Sequence, residues 1–135
     1  MTNILKHNII VVEDSPTMQH LIKAHLGFYE GIKELDLKMY THVQPAKDYL
    51  ENTIDEVHLI ICDIMLPGEY SGLDFLRYVR KDQRFYSIPF IVITVNTDKT
   101  IKHKCHELNC SGFLYKPFTI PQIHDLLKQW LKTEY

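Results

Sequence analysis

The sequence lacks any long apolar run: no stretch approaches the roughly 18 consecutive apolar residues that a membrane-spanning helix needs. Cysteine is scarce, at three residues in 135, and the three show no disulfide-rich spacing, which fits a reducing compartment better than an exported one. The expected location is the cytoplasm. Charge of one sign is also missing. The formal net charge is -2 and the Lys and Arg residues are scattered, so no basic stripe marks a nucleic-acid backbone as partner. The opening segment MTNILKHNIIVVED has a short apolar run ending in two acids and lacks the h-region and cleavage site of a signal peptide. No internal repeat, low-complexity tract or linker interrupts the chain.

What is present is enough apolar material, 45% of residues, to bury one core, whereas two cores would each be marginal at this length. One domain over residues 1–135 is expected. The run Ile9-Ile10-Val11-Val12 is continuously β-branched, as in a parallel strand covered on both faces, and it stops at Glu13-Asp14. Ser15 and Pro16 then supply an N-cap and a first-turn proline for a helix carrying Met18, Leu21, Ile22 and Leu26 at helical spacing. An alternating stretch from Leu35 to Val43 predicts a second strand, and Pro45 to Asn52 a second helix. His58 to Cys62 reads as a third strand ending at Asp63, followed by a Pro67-Gly68 loop and a helix through Leu73, Leu76 and Val79. Pro89 to Thr94 is a fourth strand, residues 96–110 hold a fourth helix, and Gly112 to Tyr115 is a short fifth strand. Thr119 caps a last helix with Ile120, Ile123, Leu126, Leu127, Trp130 and Leu131 on one broad face. Such alternation predicts an α/β fold: a doubly wound five-stranded parallel sheet flanked by helices.

In an open parallel sheet, ligands bind at the carboxyl ends of the strands. Here those ends carry Glu13 and Asp14, then Asp63, Thr94 and Lys116. Three clustered carboxylates resist sharing a poorly hydrated site without a cation, and an all-oxygen site with few protein ligands suits magnesium, which keeps several waters. A metal, a lysine and a hydroxyl around one carboxylate are what phosphoryl transfer to that carboxylate requires, so Asp63 is the candidate nucleophile.

Four segments in order, VVED at 11–14, ICDIMLP at 61–67, IVIT at 91–94 and FLYKPF at 113–118, resemble the receiver domains of two-component response regulators, the chemotaxis-type single-domain regulators among them. The resemblance covers nearly the whole chain and implies the flavodoxin-like receiver fold. It further implies that Asp14 and Asp63 hold Mg2+ directly, with the main-chain carbonyl of Met65 as a further ligand and Glu13 acting largely through water. Lys116 would pair with the phosphoryl group, Thr94 would turn toward it, and Phe113 would move into the space vacated. The Lys116-Pro117 peptide would be cis. A histidine kinase or histidine phosphotransfer protein would be the donor, and a target protein would dock near the fourth helix, fifth strand and fifth helix. The chain would catalyse only its own phosphorylation and dephosphorylation.

The sequence departs from the family pattern at Val95, where a small residue is usual, and slower acyl-phosphate turnover is the expectation. The loop after Pro67 reaches Gly72 one residue late, with Glu69-Tyr70 near the mouth of the site. His103, Cys105, His106 and Cys110 invite a zinc reading, but tetrahedral zinc sites present tighter paired spacing, so buried thiols and exposed histidines are expected there. Cys62 is expected in the core. A binding-only pseudo-receiver would have lost an acid, the hydroxyl or the lysine. A haloacid-dehalogenase-type phosphatase would carry D-x-D after the first strand, and a flavodoxin a glycine- and hydroxyl-rich loop in place of Ser15-Pro16-Thr17-Met18. The chain stops soon after the last helix, as expected of either a stand-alone receiver or a piece of a larger regulator.

Overall fold

The computed structural model describes residues 6–132; the two ends of the expected 1–135 domain lie outside the described residues. Five strands alternate with five helices: β1 (Lys6–Val12), α1 (Pro16–Phe28), β2 (Glu34–Tyr40), α2 (Val43–Asn52), β3 (Leu59–Asp63), α3 (Gly72–Lys81), β4 (Phe90–Thr94), α4 (Lys99–Glu107), β5 (Gly112–Tyr115) and α5 (Ile120–Trp130). All neighbouring strands pair in parallel, in the order β2-β1-β3-β4-β5. The strand order reverses between β1 and β3, which is the switch point where an open α/β sheet leaves a crevice at its carboxyl edge. No described helix is long and apolar enough to cross a membrane.

The two-residue period of the strands divides the core between the two faces of the sheet. Ile10, Val12, Ile60, Cys62, Phe90 and Val92 meet Val43, Ala46 and Leu50 of α2, Phe75, Leu76 and Val79 of α3, and Cys105 of α4. The alternate set, Ile9, Val11, Leu59, Ile61, Ile91 and Ile93, meets Ile22 and Leu26 of α1 and Ile123 and Leu127 of α5. Each fully buried aliphatic side chain of this kind contributes about 1.5–3 kcal/mol. Because both faces are covered, the central strands read as unbroken apolar runs rather than alternating ones.

Several element boundaries differ from expectation. The second strand ends at Tyr40, not Val43, and Val43 instead opens α2 with its side chain buried in the core. An apolar residue after Thr41-His42 serves either pattern, and Val43 joins Ala46 and Leu50 of the helix in the buried core cluster. Pro45, expected to begin that helix, sits in its first turn, where its missing N–H costs no intrahelical bond. The third strand is shifted by one residue and includes Asp63 itself.

Candidate functional site

The two buried acids in the crevice, Glu13 and Asp63, are held by local backbone structure. Glu13 follows the last residue of β1, donates its N–H to the Tyr40 carbonyl at 2.9 Å, and is fully buried. Its Oε2 accepts the Ser15 N–H at 2.9 Å, while Ser15 Oγ caps α1 by accepting from Met18 N. Asp14, next along, is exposed at the rim. Asp63 closes β3, is 3% exposed, and accepts the Met65 N–H on Oδ1 at 3.0 Å. A ligand oxygen from each of Glu13, Asp14 and Asp63 lies within 4.8 Å of the other two.

Lys116 enters this group from the end of β5. Its Nζ donates to Asp63 Oδ2 at 2.6 Å and lies 2.5 Å from Glu13 Oε1. A main-chain bond from Lys116 N to the Thr94 carbonyl, 2.8 Å, fixes the base of the side chain, and the following Lys116-Pro117 peptide is cis, as expected. Burial pulls the Lys116 ammonium down, but the hydrogen bonds to Asp63 and Glu13 outweigh it and hold the group above its ordinary value. Burial pushes the Glu13 carboxyl up, against the hydrogen bonds from Lys116 and the Ser15 N–H; the charge of Asp63 adds to the rise.

Three carboxylates against one ammonium leave a surplus of two negative charges, matched by a single divalent cation. The donor set is entirely oxygen, which suits a hard ion such as Mg2+ or Mn2+ and not a thiophilic one. The residues present therefore fit the metal that the sequence implies.

Thr94 ends β4, is fully buried, and accepts the Asn96 N–H on its hydroxyl at 3.0 Å. In the strand registers Asp63 pairs with Ile93 and Thr94 with Tyr115, so the acid, the hydroxyl and the lysine occupy adjoining strand ends. Met65 stands two residues beyond Asp63 and is 57% exposed; Val95, immediately after Thr94, is 66% exposed. Phe113 is half-buried against the core cluster that holds Cys62 and Cys105, and its ring meets Tyr115 edge-on at 5.1 Å.

Two neighbours of the site were not foreseen as such. Lys102 of α4 stands 5.7 Å from the ring centres of both Phe113 and Tyr115, a contact between elements that spacing along the chain does not reveal. Gly72 is the other. A Cβ built there would lie 2.1 Å from the Asp63 carbonyl oxygen, so glycine allows the start of α3 to abut the backbone of the central acid. A signal for it existed in Ser71-Gly72-Leu73-Asp74, which forms a capping box and marks Gly72 as the first helical residue.

The zinc reading finds no support. Among the described residues, the only trio of His, Cys, Asp or Glu with such close ligand atoms is the carboxylate cluster. Cys105 is buried, as is Cys62, while His103 lies exposed and pairs with Glu107 at 2.6 Å.

A family model for the response regulator receiver domain matches residues 9–128. The chain belongs to that family, and so to two-component signalling. It is 35% identical over 118 residues to chemotaxis protein CheY1 of Helicobacter pylori, covering 85% of this chain and 88% of that one. It is 27% identical to response regulator Rre1 of Synechocystis, covering 92% of this chain but only 51% of that protein. Among solved structures, the receiver domain of sensor histidine kinase PA1611 from Pseudomonas aeruginosa superposes with a TM-score of 0.78 at 23% identity, covering 93% of this chain and 97% of that one. That structure holds a magnesium ion in its active site cleft.

Proposed function

We propose that residues 1–135 act as one receiver domain that accepts a phosphoryl group from a phosphohistidine donor onto Asp63 and thereby switches a protein-binding surface. The observation that carries this reading is the pairing of a nearly buried Asp63 with Lys116, inside a carboxylate cluster whose charge calls for a divalent cation. The family membership supports it, as does the magnesium ion in the cleft of the related receiver domain.

A carboxylate oxygen of Asp63 attacks the phosphorus; the P–N bond to the donor imidazole breaks as the P–O bond to Asp63 forms. Asp14 and Asp63, with the Met65 carbonyl, would hold Mg2+ directly, and Glu13 would act largely through water. The bound ion supplies positive charge to the oxygens of the transferring group. Lys116 supplies a second positive charge on that group, and its contacts with Asp63 and Glu13 hold the ammonium in the crevice beforehand. The Met65 N–H fixes the orientation of the Asp63 carboxylate.

After transfer, the phosphoryl oxygens offer Thr94 Oγ1 an acceptor in place of its role as acceptor from Asn96 N–H. Turning of that hydroxyl draws in the segment after β4, and the Phe113 ring fills the space left. The surface formed by α4, β5 and α5, where Lys102, Phe113 and Tyr115 meet, is then the docking site for a target protein. Val95 at the mouth of the cleft slows hydrolysis by hindering water. A histidine kinase or phosphotransfer protein serves as donor in the cytoplasm, and no nucleic acid is contacted by this domain.

The test is an NMR titration with beryllium fluoride, a mimic of the phosphoryl group, in the presence and absence of Mg2+. Shifts at Thr94, Phe113 and α4 that require both Mg2+ and Asp63 support the reading; an unchanged spectrum for these residues contradicts it.

A further inference from the structure

The last turn of α4 closes in a way that brings two thiols together. Cys110 N donates to the Cys105 carbonyl at 3.0 Å, Asn109 N donates to the His106 carbonyl at 2.9 Å, and Asn109 has a φ of 60°. Those two bonds, with a left-handed residue between helix and exit, define a Schellman motif. A hydrophobic contact between the third-last helical residue and the second residue past the cap frequently accompanies that motif. Here the two are Cys105 and Cys110, and both pack in the same hydrophobic cluster.

The hydrogen bond also limits their separation. Standard bond lengths put the Cα atoms no more than about 7 Å apart even if every bond were in line, and bending at either atom brings them inside the roughly 4.4–6.8 Å range of disulfides. Cys105 is fully buried, while Cys110 is partly exposed. Burial pushes the Cys110 thiol up, and the charges of Arg80 and Lys102 offset part of that rise. Burial pushes the Cys105 thiol up to about 11, with a charge on Cys110 adding to the rise.

We propose that Cys105 and Cys110 form a reversible dithiol–disulfide pair, with Cys110 the attacking thiol, Cys105 the resolving thiol, and a low-molecular-weight disulfide the oxidant. Cys110 loses its proton and attacks one sulfur of the oxidant, releasing one small thiol and leaving a mixed disulfide. Cys105 then loses its proton and attacks the Cys110 sulfur, releasing the second small thiol. Two protein thiols are oxidised to one disulfide and the external disulfide is reduced to two thiols. Because burial holds both thiols up, the reaction is slow near neutral pH, as suits a response to sustained oxidation rather than a fast peroxide sensor. The bond ties the last turn of α4 to the segment leading into β5. It is independent of Asp63, so the Asp63→Asn protein forms it equally.

The test incubates the folded full chain with oxidised glutathione, blocks remaining thiols without reduction, and maps the tryptic peptides by mass. Cys105 and Cys110 fall on one peptide beginning after Lys104, and Cys62 on another. The expected result is a 105–110 peptide lighter by two hydrogens, restored by a reductant, with Cys62 blocked only after unfolding. In Cys105→Ala, glutathione remains on Cys110; in Cys110→Ala, Cys105 carries none. Should either variant fail to fold, the map of the unsubstituted chain decides alone. Glutathione persisting on Cys110 of that chain, a bond that includes Cys62, or three free thiols would each overturn the proposal.

Discussion

The Lys116 ammonium reaches across the crevice to Asp63 Oδ2 at 2.6 Å, joining the end of β5 to the end of β3. With Glu13 on its other side, this lysine is a counter-ion to two buried acids. Removing one partner of a buried pair leaves an uncompensated charge at a cost of about 3–5 kcal/mol. Lys116→Met is therefore expected to lower the urea midpoint sharply in a chelator and to recover part of the loss when Mg2+ is added. Equal loss in both conditions would mean that no cation shares the cluster.

Gly72 tests how tightly the site is built into the backbone. In Gly72→Ala the new methyl would need the space of the Asp63 carbonyl, so α3 must shift. Overpacking of this kind costs about 1–3 kcal/mol, occasionally more. Chemical unfolding should show that loss, and Asp63 should move in the amide spectrum. A neutral substitution would show that the helix start gives way freely.

Arg80 makes a third test, remote from the crevice. Its guanidinium donates to the carbonyls of Asn109, Tyr86 and Ile88 and to Ser111 Oγ, joining α3 to the segments before β4 and β5. Lys cannot reproduce that fork of donors. Arg80→Lys is expected to cost about 1–3 kcal/mol by unfolding, the scale of one or more part-buried acceptors left unmatched. A loss below about 0.5 kcal/mol, ordinary for a surface change, would contradict it.

Acid should weaken the fold through His25. The residue is 5% exposed against Phe118, and its Nδ1 has no hydrogen-bond partner among the described residues. Burial holds its imidazole below the ordinary 6.5, and the facing His124 lowers it further. The unfolded chain thus binds the proton more readily, so the stabilisation is complete above 6.5 and is lost as pH falls from there through the folded value. Urea midpoints measured across that interval should fall with acid, and His25→Leu should flatten the slope. An unchanged slope in the variant would assign the acid sensitivity elsewhere, with His58, also lowered by burial, the first alternative.

Much of this architecture was legible in the chain. The β-branched runs at 9–12 and 91–93 announced strands buried on both faces, and the acids, hydroxyl and lysine that end the strands fell at adjoining positions because topology puts them there. What stayed hidden depended on contacts between distant elements. Val43 fits a strand or a helix until its packing partners are known. The stacking of Lys102 over Phe113 and Tyr115, the clearance at Gly72 and the fourfold hold of Arg80 leave no periodicity to read. Cys105 and Cys110 looked like candidate metal ligands or inert core, and only the left-handed turn at Asn109 reveals them as partners.

Val95 bears on the lifetime of the switch. If its exposed side chain hinders water, Val95→Ala should shorten the acyl-phosphate half-life, by roughly tenfold or less, which is about 1.4 kcal/mol of barrier. Timed decay after removal of the donor reads this directly, and an unchanged or longer half-life would contradict it.

The most direct measurement is intact mass after incubation with acetyl phosphate and Mg2+, beside an Asp63→Asn variant and a chelator control. The account predicts a gain of one phosphoryl group that requires both Mg2+ and Asp63. A gain that survives in Asp63→Asn or in chelator, or no gain from either acetyl phosphate or a phosphohistidine donor, would contradict it.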